Sequence, residues 1–524
     1  MKKRLILKSV VLILLFTWLS FPNYAQELEE CTIGVASGKA TQDGRPMIWK
    51  TRDTSAKDNE VYYNTNSAHK YKFVAVVTAN GNENSSAWMG VNEKGFAILN
   101  SASSDLEGGN SGTGNGVAMR LALGNCATVV DFERWLDSTN VTGRQTQANF
   151  AVLDSTGAAA IFETGGYEYW KFDANDSTIA PNGYVLRTNF AFNGDAQYGL
   201  HDGLYSIERY RRTTKLVGDF HAGDSLNYKS ILRTQMRDFS DFDSEPVPVP
   251  YPRKWLSYRP FGYIYNYISI CRSTSVSAAV IQGVLPGESA KLSILWTILG
   301  QPASGIALPY WPVGKTPSEA DGYSTAPLGD IANQIRELLF DYAENTNYID
   351  SYKLLDGNGG GLWTKTFPTE DSIFSIAETR LSQWRNGIFP VQEIMEAEKE
   401  LAHFALITLQ NAYHGMITAI AQEHSNSIPI QFSLFQNYPN PFNATTEIGF
   451  SIGEPCHVTL KIFNSLGQEA ANLVSQNFMT GNYRTEWDAT NLAGGIYFYQ
   501  FQAQPIDKAS NFIFRDVKKL MLIK

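Results

Sequence analysis

"ELEECTIGVASGKATQDGRPMIWKTRDT", residues Glu27 to Thr54, decides how the first half of the chain is read. Apolar and β-branched residues from Thr32 to Ala36 and from Met47 to Thr51 flank the turn Gln42-Asp43-Gly44-Arg45-Pro46, which is the pattern of a β-hairpin. The first cysteine, Cys31, stands at the head of the first strand, and the second strand runs out into Arg52-Asp53. A thiol in that place is either a small buried hydrophobe or a nucleophile. What precedes it bears on the choice.

Lys2-Lys3-Arg4 is a basic start, and Leu5 to Leu19 is apolar apart from Lys8, Ser9 and Thr17. Asn23-Tyr24-Ala25 offers a small residue for cleavage, so residues 1–25 read as a signal peptide. Removal after Ala25 leaves a pro-piece, residues 26–30, in front of Cys31. No later run reaches the roughly 18 apolar residues that a membrane helix needs, so no span is expected in the mature protein.

The bulk composition agrees with an exported, folded chain. A length of 524 residues predicts several domains. With 43% hydrophobic and 18% charged residues there is enough apolar material for sizeable cores and too little charge for a disordered chain. The net charge of −9, with no Lys/Arg run beyond the first residues, disfavours nucleic-acid or anionic-membrane partners. Four widely spaced cysteines match no metal motif. Export permits disulfides, but spacing leaves any pairing of Cys126, Cys271 and Cys456 open.

From Cys31 to about Pro302 strand pairs joined by tight turns alternate with helical blocks, which argues for antiparallel sheets covered by helices. Residues 327–423 change to helical spacing, with Pro390 at a helix start. Residues 424–431 form a polar linker. Residues 432–524 read as a small all-β domain, with alternating strands such as "HVTLKIFN" and "GIYFYQFQA".

The chemistry turns on the base that would activate Cys31. None of the seven histidines lies in a recognisable cysteine-protease setting. If the chain began at Cys31, its own α-amino group, with a pKa of about 7.7 to 8.0, would be a base built into the nucleophilic residue. That requires cleavage of the Glu30–Cys31 bond, because an amide nitrogen is not a base.

The run "CTIGVASGKATQDGRPMIWKTRDT" resembles the start of the N-terminal-nucleophile (Ntn) cysteine hydrolases. The nearest group is the acyl-CoA:6-aminopenicillanic acid acyltransferase-like family, to which bile-salt hydrolases and penicillin V acylases are related. "GVNEKGFAILN", "ANFAVLDSTGAAAIFE", "RTNF", "SIERYRR" and "TSVSAAVIQ" with "LSILWTILGQP" follow in the family's order. The resemblance implies an α+β fold, a four-layer αββα sandwich over residues 31–326, followed by the helical region and the small all-β sandwich. It implies Cys31 as nucleophile and base, Asp53 orienting its amine, and Asn189 as oxyanion donor. Asn100 is a second donor in an ambiguous register, and Arg209 fixes the carboxylate network. Lys50 or Arg52 matches the basic position across from the thiol. Relatives have an arginine three residues before the aspartate where this chain has Lys50, a point charge rather than a planar fork. The implied reaction is cleavage of a linear amide in a small-molecule substrate, with no metal or cofactor.

The tail carries a second resemblance. "FSLFQNYPNPFNATTEIGFSI", "VTLKIFNSLGQEAANLV", "GNYRTEWDATNLAGGIYFYQF" and "KKLMLIK" are similar to the type A sorting domain of the type IX secretion system. This implies secretion, or delivery to the cell surface, by that machinery. Other readings stay open. Arg209, Arg211 and Arg212 could form a solvated helix face, Asp53 could cap a turn, and Asn189 could brace backbone. The enzyme could instead be a related Ntn-type cysteine dipeptidase, or the fold could persist without activity as a binding or adhesion protein.

Overall fold

The hairpin around Gly44 is present and longer than its apolar residues suggest. In the structure, a computed structural model describing residues 30–79, 86–241, 245–251, 262–322, 326–341, 346–356, 359–386, 390–425, 432–437, 439–479, 481–506 and 513–523, strand Glu30–Ala36 pairs antiparallel with Met47–Asp53. The expected signal peptide and all of the pro-piece except Glu30 lie outside the described residues. The second strand continues through Arg52 and Asp53 because Ser275–Gln282 pairs along its other edge, Ser275 opposite Asp53. The full antiparallel sheet has six strands, in the order Tyr184–Arg187, Glu30–Ala36, Met47–Asp53, Ser275–Gln282, Ile294–Leu299 and Leu308–Tyr310.

A seven-stranded antiparallel meander forms the other sheet, from Asn59–Asn64 through Phe73–Thr78, Met89–Asn92, Ala97–Ala102, Ala148–Leu153 and Ala159–Thr164 to Tyr169–Asp173. Period-2 alternation sorts its side chains. Val74, Val76, Leu99, Ala151 and Ile161 share a core with Cys31, Ile33 and Val35 of the first sheet. Phe73, Ala75, Ile98, Phe150 and Phe162 point the other way, onto helices Asn115–Asn125 and Val129–Thr142. There Phe132 meets Phe150 and Phe162 edge-on, at centroid distances of 5.8 and 5.5 Å. The second helix starts where Thr128 and Asp131 form a reciprocal capping box.

The first sheet is also covered on its far face. Trp296 stacks on Tyr228 of helix Tyr228–Arg233 at 4.6 Å and meets Phe374 of helix Trp363–Arg385 at 5.3 Å. Gly34 lies under Trp49, and a Cβ there would fall 2.2 Å from the indole ring. Because both faces are covered, every residue of the Met47–Asp53 strand is buried, its three charged ones included.

The helical region contains Pro327–Leu339, Trp363–Arg385 and Val391–Ser425. The middle helix has Pro368 inside it, a residue that reads as a break. It is anchored by Glu370, which accepts two hydrogen bonds from Arg237, at 2.8 and 3.0 Å. Among the described residues no helix is long and apolar enough to cross a membrane, and no disulfide joins the cysteines.

The tail is two antiparallel sheets of three and four strands around Phe450, Trp487, Tyr499 and Phe501. Its proline-rich entry is held by side chains as well as by backbone pairing at Phe442. Asn437 Nδ2 donates to Pro439 O at 3.0 Å and to Thr446 Oγ1 at 2.9 Å.

Candidate active site

Cys31 is the second residue of its strand and fully buried. The neighbouring strand Tyr184–Arg187 pairs with it only from Ile33 onward. Beyond that rung the chain leaves the ladder, and side chains satisfy the strand end. Cys31 N donates to Asn189 Oδ1 at 2.9 Å, and Cys31 O accepts from Arg209 Nη1 at 2.8 Å. Arg209 Nη2 donates to the same Asn189 oxygen at 2.8 Å. Arg209 comes from the first turn of helix Ile207–Ala222, whose N-cap Ser206 accepts the Asn189 N–H at 2.9 Å. The solvated-face reading therefore holds for neither Arg209 nor Arg212. Both are buried, Arg212 on Asp238 at 2.7 and 2.9 Å, and only Arg211 of the run reaches solvent.

Asp53 is buried one rung away, opposite Glu30. Ser275 Oγ donates to its Oδ1 at 2.6 Å. Its Oδ2 accepts no hydrogen bond from the described residues but lies 3.9 Å from Arg209 Nη1 and 4.0 Å from Arg272 Nη1. Burial pushes its carboxyl up to about 6, against the pull of Arg272 and Arg209. Asp53 is thus held by strand pairing and charge, not as a turn cap.

On the face shared with Cys31, Arg52 stands directly opposite it and Lys50 opposite Ile33. Arg52 donates to Asn59 Oδ1 at 2.6 Å and lies 4.4 Å from the centre of the Trp88 ring. Lys50 Nζ donates to Asn100 Oδ1 at 2.8 Å. That contact fixes the Asn100 amide by its oxygen, and its buried Nδ2 has no acceptor among the described residues. A buried donor left open this way can receive a developing negative oxygen.

Asn189 is brought to the site. Its oxygen accepts from Cys31 N and Arg209, and its Nδ2 is turned to Ala102 O at 2.9 Å. Three contributors carry no motif and were missed by sequence reading: Arg272, Ser275 and Glu30. Arg272 Nη1 contacts Glu30 Oε2 at 2.5 Å. "CRSTS" before a strand gives no signal of this.

A cavity of about 770 Å³ lies elsewhere, lined among others by Tyr352, Lys353, Thr369, Asn411 and Arg484. Its described lining includes threonines, lysines and aspartates but no cysteine or histidine, and the Cys31 cluster is taken as the candidate for chemistry.

Residues 40–249 match the family described as acyl-coenzyme A:6-aminopenicillanic acid acyl-transferase, and residues 436–515 match the secretion system C-terminal sorting domain. The first match contains Lys50, Arg52, Asp53, Asn100, Asn189 and Arg209. It begins after Cys31 and ends before Arg272. No curated protein matches the chain. Among solved structures it is similar to penicillin V acylase from Agrobacterium tumefaciens, at 14% identity over 54% of this chain and 85% of that one, with a TM-score of 0.32. It is also similar to a mutant of the conjugated bile acid hydrolase from Clostridium perfringens, at 12% identity over 51% and 89%, with a TM-score of 0.32. The chain thus carries a segment similar to the acyl-coenzyme A:6-aminopenicillanic acid acyl-transferase family and a C-terminal segment that matches the secretion sorting domain.

Proposed function

We propose that the protein is a secreted Ntn cysteine hydrolase that cleaves linear amides through an acyl-enzyme at Cys31. The observation that carries this reading is the convergence of buried polar side chains from separate elements on the backbone nitrogen and oxygen of one cysteine. A thiol that only fills space needs no such shell. In this reading residues 1–25 direct export, 26–30 are the pro-piece and 31–326 form a four-layer αββα hydrolase domain. Residues 327–423 pack on it as a helical region, 424–431 link, and 432–524 address the protein to type IX secretion.

Maturation is one hydrolysis. Cys31 sulfur attacks the Glu30 carbonyl carbon, and the C–N bond breaks with a proton passing to nitrogen. Water then opens the resulting thioester, leaving a Glu30 carboxylate, a free thiol and a free amine. In turnover that amine takes the thiol proton while sulfur adds to the substrate amide. Asn100 Nδ2 donates to the oxyanion. The amine's proton goes to the leaving nitrogen, and water, deprotonated by the same amine, releases the acid. Asp53 and the Asn189 oxygen orient the amine, and Arg209 fixes both Asn189 and the Cys31 carbonyl.

The test is the N-terminus of secreted protein together with a panel of N-acyl amino acids, penicillin V, bile-salt conjugates and dipeptides. A chain starting at Cys31 that turns over an acyl amide, with turnover abolished by Cys31→Ala, is expected. Secreted material retaining residues 26–30, or an equally active Cys31→Ala protein, would overturn the reading.

A further inference from the structure

Four charged groups meet at the Glu30–Cys31 bond, and their balance depends on that bond. Glu30 and Asp53 are the acids; Arg209 and Arg272 are the bases. All but Glu30 are buried. Arg272 is held by the turn before strand Ser275–Gln282. Its N–H donates to Ser275 Oγ at 3.1 Å, and its carbonyl accepts Ser275 N at 3.1 Å. The same Ser275 hydroxyl donates to Asp53. The guanidinium also lies 5.1 Å from the Tyr267 ring, so its place does not depend on Glu30 alone.

We propose that Arg272 is a positioning residue acting in two states: before cleavage it anchors the Glu30 side chain, and afterwards it is the uncompensated positive charge that keeps the new Cys31 amine unprotonated. This rests on the Cys31 reading above. With Glu30 attached, two carboxylates face two guanidiniums. Once the pro-piece leaves, Asp53 alone faces both, and the amine that appears among them would add a third positive charge. A buried excess charge is costly, and like charges disfavour the protonated amine.

The other groups around this point do not restore the balance. Lys50 and Arg52, on the Asp53 strand, add positive charge and have partners in Asn100 and Asn59. Arg187, on the other flanking strand, is paired with Glu163 at 2.7 Å. Cys271, beside Arg272, has its thiol pushed up by burial and stays neutral. Lone Asp53 therefore orients the amine without fixing a proton on it.

The experiment uses the full chain and two readouts that need no known substrate: intact mass over time, and the pH dependence of Cys31 alkylation by iodoacetamide, located by peptide mass. Glu30→Gln is expected to slow loss of the pro-piece about 10-fold, one charged contact's worth, and to yield a mature protein identical to wild type. In mature Arg272→Gln the alkylation midpoint is expected to move up by about one pH unit, while Arg272→Lys stays close to wild type. If Arg272→Gln stays full length with a native circular dichroism spectrum, the anchoring role is supported. Superimposable alkylation profiles for Arg272→Gln and wild type, or unchanged processing of Glu30→Gln, would overturn the proposal. A wild-type protein that keeps its pro-piece and is never alkylated at Cys31 would instead sink the Cys31 reading itself.

Discussion

The Met47–Asp53 strand and the tail strand Phe514–Leu522 solve the same problem in opposite ways. In the tail, Arg515, Lys519 and Met521 face solvent, while Leu520 and Leu522 close the core. Charge costs almost nothing there because each charged head stays in water. In "MIWKTRD" Lys50, Arg52 and Asp53 are as buried as Ile48 and Trp49. Burying a charge is expensive unless it is paired, so three in one strand fit the proposed site, where stability would yield to chemistry. An apolar core could be made with Val or Ile at those positions, and the charges sit around Cys31 for another reason.

The largest effect that would break this contrast is at Cys31, the proposed nucleophile. Cys31→Ala is expected to lower turnover of any accepted acyl amide by roughly 10⁴-fold or more and to leave the full-length mass unchanged, as read by a hydrolysis assay and mass spectrometry. Asp53→Asn should cost roughly 10²-fold or more, measured as kcat/KM at constant folded fraction. In the tail, Trp487→Ala removes a buried ring that packs on Phe442 and Tyr497 at 5.5 and 5.4 Å. It should destabilise the tail by about 3–5 kcal/mol in thermal unfolding, with turnover unchanged.

Asp53 also gives the buried strand a pH signature. Its folded value, about 6, lies above its unfolded value, so the native state binds the extra proton between roughly pH 4 and 6. The stability it contributes is present at the acid end and is lost as pH rises through that window, by about 3 kcal/mol at most. In a Cys31→Ala background, which keeps Glu30 attached, the stability difference from the added Asp53→Asn change should fall from pH 4 to 6 and then level off. The smallest effect belongs to the exposed pair Lys461–Glu469. Lys461→Ala should change stability by less than about 0.5 kcal/mol.

Much of the scaffold was legible because its signals are local. β-Branched runs around Gly44, the Asp-Ser-Thr-Gly turn between Ala148–Leu153 and Ala159–Thr164, and the spacing of Val129, Phe132 and Leu136 each declare their element without help from the rest of the chain. Helix Trp363–Arg385 falls within the helical region read over residues 327–423, and it runs through Pro368 with Ile373, Phe374 and Ala377 buried in the turns that follow. Cys31, Lys50, Arg52, Asp53, Asn100, Asn189 and Arg209 could be named from motifs. The direction of the Asn189 amide could not, because it is set by Arg209 and Ala102, which only the fold brings to it. Arg272 was invisible for the same reason. Its meaning comes from Glu30, 242 positions earlier in the chain.

Strand Glu30–Ala36 is stitched to Met47–Asp53 along its whole length and to Tyr184–Arg187 from Ile33. Chain ends ordinarily fray. An end created at residue 31 would be paired with Arg52 on one side and held by the Asn189 and Arg209 side chains on the other, with only one rung surrendered. Under the proposed maturation, the ordering of that terminus would be completed once, during folding, and each turnover would inherit a tip already held in place.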